Sequence, residues 1–501
     1  MRTPSVLLIG YNGANNTGAE ALLQADIADL RAVLGPDALL TVPTLDEAKL
    51  RRYLREGPGL RIAPIPPVFP AAVRRLVREH DLVVLVEGSA FMDTWTRALL
   101  WYFLWAIHCA HRAGRPCLAY AVDAGRLDRL DRALVRHETG RAGLIVVRSE
   151  AAADRLRDCG VTAPVEATAD NAFNFQPRTD DAGWLQRAWP ESADGAVGLA
   201  PVDFSLFPVV VRPWGRRADR YRWPYSFSRS PARRRASAAM AEGWAGVADR
   251  VIEQHGRPVA LIAMEELDER LACDIHRRMR HPGRARVLSS RELDASRMTV
   301  LLRGLDALVT SRYHAAVLSM AAAVPQIAVG HDLRLRTLYQ ELGLDGELFV
   351  EGGAGPEVFT AVSDRLDRLL TAPEPVRQAL RRGERAHAEL AARNRALLRG
   401  FAAGHGWDVG AVAAMKRHVT VDDAMTSDVV AVTETAGSAV TVSDCRDPPT
   451  VHSAGVPCGT SGGSARAERT RRSRTDRDSR HVDGAGDGPS LLMAPPERCT
   501  R

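Results

Sequence analysis

Residues Asp306–Asp332 read DALVTSRYHAAVLSMAAAVPQIAVGHD. The apolar run Ala307 to Thr310 predicts a buried strand, a helical pattern follows from Ala315 to Ala323, and a second apolar run, Gln326 to Val329, comes after Pro325. Between the first strand and the helix stand Ser311, Arg312, Tyr313 and His314. Open parallel α/β sheets bind ligands at the carboxyl ends of their strands, and the amides that open the next helix favour anions. An arginine there offers a planar fork for phosphate or carboxylate, and a histidine exchanges a proton near neutral pH. Taken alone, the same loop also fits an arginine paired with a surface carboxylate and a histidine with a purely structural role.

A second loop of this kind lies near the N-terminus. It follows the apolar strand Val6 to Ile9 and reads GYNGANNTGAE from Gly10 to Glu20, with a helix expected from Ala19 to Leu34. Gly13 and Gly18 permit tight turns and close backbone approach, while Asn15, Asn16 and Thr17 are good helix caps. The pattern matches neither GxGxxG nor a Walker loop, which argues against a dinucleotide or magnesium–nucleotide site.

Apolar runs alternate with helical patterns on both sides of these loops. In the first part, strands are expected at Leu39–Val42, Leu60–Ala63, Leu82–Val86, Cys117–Ala121, Leu144–Val147 and Val165–Thr168, with helices at Thr94–Arg112 and Glu150–Cys159 among those between them. A second series runs through Val197–Pro201, Val259–Ala263 and Ala285–Leu288 to the opening stretch, and a helix from Pro375 to Phe401 closes it. Strands without polar alternation, separated by helices, predict parallel sheets covered on both faces. The expected fold is therefore α/β, with two Rossmann-like parallel-sheet domains facing a cleft in a GT-B-like arrangement. Their bounds are set at 1–178 and 179–403, with 404–501 as a low-complexity tail, disordered from about Val440. Within the tail, 421–432 looks like the opening of a CBS domain that nothing continues. Residues 204–235 break the pattern with aromatics, prolines and arginines. They suit either a surface insertion or a flap whose rings stack on sugars and whose arginines attract phosphates or anionic headgroups.

Composition sets the outer limits. The chain has 501 residues, 46% hydrophobic and 26% charged, a formal net charge of +6 and a pI near 9.1, which suits an anionic partner without naming one. Seven scattered cysteines form neither a zinc-ligand spacing nor a disulfide framework, so no metal is expected and a reducing compartment is. Met1 to Pro4 leads straight into a strand and the apolar stretch Ala98–Ala110 is short for a membrane span. The expectation is a cytoplasmic protein able to touch the inner face of the membrane. Nucleic acid is not expected, because the positive charge concentrates in one insert rather than along a motif.

With these residues in view, the chain resembles the polysaccharide pyruvyl transferase family. GYNGANNTGAEALL is similar to the family's opening glycine-rich loop, with Ala19 at the usual acid and Glu20 retained. LVVLVEGSAFMD resembles its second loop, keeping Gly88 and Asp93 but carrying Glu87 and Ser89 where glycines are typical. VVRSEAAADRLRDCGV supplies the arginine before a helix, here Arg148; ATADNAF supplies an acid, here Asp170; and SRYHAAVLSMAAAVPQIAV carries the Arg-x-His signature, with Arg334 for the following lysine and Arg336 near it. The likeness runs in the family's order over about residues 5 to 345. It implies transfer of a pyruvyl group from phosphoenolpyruvate to a saccharide of a cell-surface glycan or its lipid-linked precursor, forming a ketal, with no cofactor. It also implies His314 and Arg312 as catalytic residues and Arg334, Arg336 and Arg148 at the donor. Gly13, Asn15, Asn16, Thr17, Gly18, Glu20, Gly88, Asp93 and Asp170 are the corresponding loop and acceptor candidates. Two other readings share the architecture: a GT-B glycosyltransferase using a nucleotide sugar, and a family member that binds glycans without turnover. Neither the acceptor sugar nor the oligomeric state is read from the sequence.

Overall fold

The computed structural model describes residues 3–330 and 332–409. The CBS-like stretch and the tail from Val440 lie outside the described residues. Seven strands form the first sheet: β1 (Val6–Ile9), β2 (Leu40–Thr44), β3 (Leu60–Pro64), β4 (Leu82–Leu85), β5 (Cys117–Val122), β6 (Leu144–Val147) and β7 (Val165–Ala167). They pair in parallel in the order β3-β2-β1-β4-β5-β6-β7. The second half opens with β8 (Val197–Ala200). A small antiparallel ribbon follows, made of β9 (Val210–Val211), β10 (Arg220–Arg222) and β11 (Tyr225–Ser226). Then come β12 (Val259–Ala263), β13 (Ala285–Ser289), β14 (Ala307–Thr310), β15 (Gln326–Gly330) and β16 (Phe349–Glu351). Apart from the ribbon these make a second parallel sheet in the order β13-β12-β8-β14-β15-β16.

Both sheets thus reverse their winding once, beside β1 and beside β8, and crevices for ligands open at the strand ends there. The central strands are apolar throughout and fully buried, as strands covered on both faces must be. Where sequence and structure part, local chemistry explains it. Arg312 keeps an extended backbone at the N-cap, so the helix starts at Tyr313 and ends at Met320, which draws His314 into its first turn. Strand β16 and the ribbon strands have two or three residues each, too few to carry a periodic signal. Among the described residues no helix is long and apolar enough to cross a membrane.

The halves are joined by more than one chain crossing. The Thr17 amide donates to the Met264 carbonyl at 2.9 Å, and Ala295, first residue of the Ala295–Arg303 helix, donates its amide to Glu20 Oε2 at 3.0 Å. The last helix, Glu374–Gly404, counts with the second half in the sequence but straddles both. Leu380 and Ala391 sit in the second core, whereas Leu398 and Ala402 pack in the first beneath Val6 and Leu8.

Glu20 is therefore a joint between the halves rather than a loop ligand, and burial pushes its carboxyl from 4.5 up to about 8. A carboxyl raised by folding keeps a proton that the unfolded chain releases, so stability falls as pH climbs from about 4.5 toward about 8. Glu20→Gln keeps an oxygen for the Ala295 amide and removes the titration. Thermal melts across that window should decline less steeply for Glu20→Gln than for the parent, and equal slopes would exclude Glu20 as the source.

Candidate active site

The loops after β1, β4, β12 and β14 converge on one cavity of about 370 Å³. Its wall includes the Gly10–Ala14 backbone, Gly18, Glu87, Ser89, Glu265, Arg312, His314 and Arg334. The insert completes it: Phe207, Val209, Tyr221, Tyr225 and Phe227 face the same space. Several hydrogen bonds fasten this roof to the first half. Val209 donates its amide to the Trp95 carbonyl at 2.8 Å, Tyr225 Oη donates to the Pro67 carbonyl at 2.7 Å, and Arg222 donates to the Leu45 carbonyl. Residues 204–235 thus supply part of the cavity wall as well as exposed surface.

Below the cavity lies a buried charge cluster. The Arg148 side chain is 1% exposed; it donates to Asp123 Oδ2 at 3.0 Å, to Asp170 and to the Gly88 carbonyl, and its guanidinium lies 4.8 Å from the Tyr313 ring centroid. Burial opposes charge on Asp170, but Arg148 and His314 outweigh it and hold the carboxyl well below the usual range. The fixed anion faces His314, whose Nε2 stands 3.3 Å from Asp170 Oδ2, in ion-pair range though off hydrogen-bond geometry. Two glycines make room. A Cβ on Gly18 would fall 2.0 Å from His314 Nδ1, and one on Gly88 would fall 2.3 Å from an Arg148 nitrogen. Neither position tolerates a side chain while those groups stay in place.

Arg312 is engaged differently from the sequence expectation. Its fork is taken by Asp268 (Nε to Oδ2, 2.8 Å; Nη2 to Oδ1, 2.5 Å), and Nη1 lies 2.9 Å from Glu265 Oε2. Burial opposes the cation and these two carboxylates sustain it. Glu265 in turn accepts from Tyr11 Oη at 3.2 Å, and the Tyr11 and Tyr221 hydroxyls lie 2.7 Å apart. Arg334 holds Asp332 through Nε and Nη2 but turns Nη1 to the Ser89 hydroxyl at 2.9 Å, with its guanidinium 5.5 Å from the Trp95 ring centroid.

The sequence candidates divide accordingly. Gly13, Asn16, Gly18, Arg312, His314 and Arg334 line the cavity, and Gly88, Arg148 and Asp170 support it from beneath. Asn15 and Thr17 serve the joint between the halves: the Asn15 amide donates to Glu266 at 2.9 Å, and the buried Thr17 donates through its backbone. Arg336 is a correction. It turns outward to Glu351 and the Phe349 ring, away from the cavity wall. Asp93 also lies outside that wall, in a trio with Asp128 and Asp131 whose oxygens approach within 4.8 Å. Arg97 pairs with Asp128 and lies 3.0 Å from Asp131, so the trio carries its own cation.

Sequence reasoning missed several wall residues. Glu87, noted only as a departure from glycine, accepts the Ser89 amide at 3.1 Å, and burial raises its carboxyl despite His314, Arg148 and Arg334 nearby. Glu265, on the wall, and Asp268, the buried partner of Arg312, follow β12, where acids just after an apolar strand were the available signal.

The sequence model of the polysaccharide pyruvyl transferase family matches residues 16–332. Among solved structures, the chain is similar to Anabaena Alr3699/HepE in complex with UDP and glucose: 12% identity, 80% of this chain and 100% of that one covered, TM-score 0.51. A UDP-N-acetylglucosamine 2-epimerase gives 12% identity, coverage of 81% and 98%, and a TM-score of 0.53. The S. aureus MnaA–UDP co-structure gives 10%, coverage of 80% and 97%, and 0.53. At these identities the likeness speaks for the fold alone, two parallel sheets in a GT-B-like arrangement.

Gly18→Ala should displace the imidazole while the protein still folds. Turnover is expected to fall about a hundredfold, since an ångström of misplacement at a reacting group costs that much. Unchanged turnover in a folded variant would show that the imidazole's position does not matter.

Proposed function

The chain belongs to the polysaccharide pyruvyl transferase family, and on that premise we propose that it moves a pyruvyl group from phosphoenolpyruvate to a glycan sugar, bridging two neighbouring hydroxyls as a ketal. The observation that carries this reading is His314, seated against Gly18 and faced by the buried Asp170 anion, in one cavity with Arg334 and the glycine-rich loop.

The reaction has three demands. The enol carbon must gain a proton, a sugar hydroxyl must lose one as its oxygen bonds the central carbon, and phosphate must leave with the broken C–O bond, taking up the proton that the second hydroxyl gives up as it closes the ketal. His314 takes the hydroxyl proton, with Asp170 stabilising the imidazolium that results. Glu87 lines the same cavity, and burial favours its protonated form, which suits delivery of a proton to the enol carbon. The donor's two anionic groups fall to Arg334 and to the amides of the first loop. Arg312, already engaged by Asp268 and Glu265, fixes the acidic side of the wall rather than gripping the donor. The acceptor sugar's apolar faces suit the rings of Trp95, Tyr221 and Tyr225. No cofactor enters this scheme.

Phosphate release from phosphoenolpyruvate, followed by phosphorus NMR with mixed cell-envelope saccharides, tests it. His314→Ala should lower turnover by about 10²–10⁴-fold. Retained release would remove His314 from the chemistry. Arg334→Gln should raise KM for phosphoenolpyruvate by about ten- to a hundredfold with a smaller change in kcat, as loss of a charge-assisted contact implies. Calorimetric titration with phosphoenolpyruvate and with UDP-sugars separates this reading from nucleotide-sugar transfer; binding of the UDP-sugar alone would overturn it.

A further inference from the structure

Of the seven large apolar side chains exposed among the described residues, four gather at the insert. Val211, Trp214 and Trp223 all belong to the insert, at 50%, 72% and 54% exposure, and Val68, 54% exposed, follows the Pro67 carbonyl that accepts from Tyr225. The ribbon brings them to one rim. Val211 pairs with Tyr225 across β9 and β11, and the Arg212 amide donates to the Pro224 carbonyl at 2.8 Å. Trp214 and Trp223, one just beyond Arg212 and the other just before Pro224, therefore share an end of the ribbon. Neither tryptophan lines the cavity.

The charge around this rim has one sign. Residues 204–235 contain nine arginines and a single acid, Asp219, which lies 3.2 Å from Arg216 Nε. Arg217 and Arg220, in the same short segment as the tryptophans, are exposed. Exposed tryptophans are rare on a surface that has no use for them, and indole rings flanked by arginines match the boundary between lipid headgroups and acyl chains. The arginines add attraction to an anionic leaflet.

We propose that the outer face of the insert docks on an anionic lipid bilayer through Trp214 and Trp223, with Arg217 and Arg220 against the headgroups. The inner face of the same segment roofs the cavity, so docking brings that cavity to the membrane surface. This inference does not depend on the identity of the donor.

Flotation of the full chain with phosphatidylcholine vesicles, with and without phosphatidylglycerol, tests the proposal. Binding should require phosphatidylglycerol, weaken with salt and shift tryptophan emission to the blue. Trp214→Ser/Trp223→Ser and Arg217→Glu/Arg220→Glu should each weaken binding about tenfold or more with an unchanged melting temperature. The chain also carries arginines between residues 466 and 480, so the comparison that counts is parent against variant. Variants that bind like the parent, or equal binding to neutral vesicles, would overturn the proposal. So would concentration-dependent self-association abolished by the tryptophan variant, because it would give this face to a second copy of the chain.

Discussion

A guanidinium sealed in the protein interior has to be matched by anions, and Arg148 is matched by two, Asp123 and Asp170. Isolated buried charges cost several kcal/mol each, so the Arg148 cation is not tolerable without these carboxylates. The arrangement leaves one oxygen of Asp170 facing His314. Through this contact the first half, which supplies Arg148 and Asp170, sets the electrostatics of an imidazole supplied by the second half. Gly18 then fixes how near the two halves can lie, because its missing side chain is the space that His314 occupies. Tyr313, the neighbour of His314, covers the Arg148 guanidinium with its ring. Five short sequence segments, far apart in the chain, thus define one corner.

The parts of this arrangement that sequence revealed are those with a local signature. Unbroken apolar runs marked the long strands because both faces are buried, and no polar alternation confuses the pattern. Glycines at 13, 18 and 88 and the arginine at 148 stood out because each follows such a run. What stayed hidden depends on contacts across the fold. Nothing in the neighbourhood of Arg312 says that Asp268 lies within 2.8 Å of it, and nothing near Glu20 announces the Ala295 amide. Arg334 and Arg336 look alike in sequence, yet helical geometry turns one toward Ser89 and the other toward Glu351. The insert was ambiguous because aromatics and arginines serve an exposed loop and a cavity roof equally well.

The wall of the cavity mixes cations with more acid than a site for an anionic donor needs. Glu87, Glu265 and Glu266 all border it. Each has a local partner: Glu87 takes the Ser89 amide, Glu265 faces Arg312, and Glu266 pairs with Lys49 and Arg291. These pairings keep the positive members oriented, with Arg334 Nη1 turned to the Ser89 hydroxyl and His314 Nε2 left without a hydrogen-bond partner. A sugar, which offers many hydroxyls and no charge, can be read by such a ring of oriented donors and acceptors.

The last helix runs through both cores, with Leu380 and Ala391 at one end and Leu398 and Ala402 at the other. A rod anchored in two interiors works as a brace, and hinge-like parting of the halves would have to pull apolar side chains into water. The insert, by contrast, is held to the opposite half mostly by polar contacts, from Val209, Arg222, Tyr225 and Tyr221, with the Phe207 ring edge-on to Trp95 at 4.8 Å. The frame is thus set by apolar surface buried in two interiors, and the cover over the cavity mostly by polar contacts of a kind that water also makes.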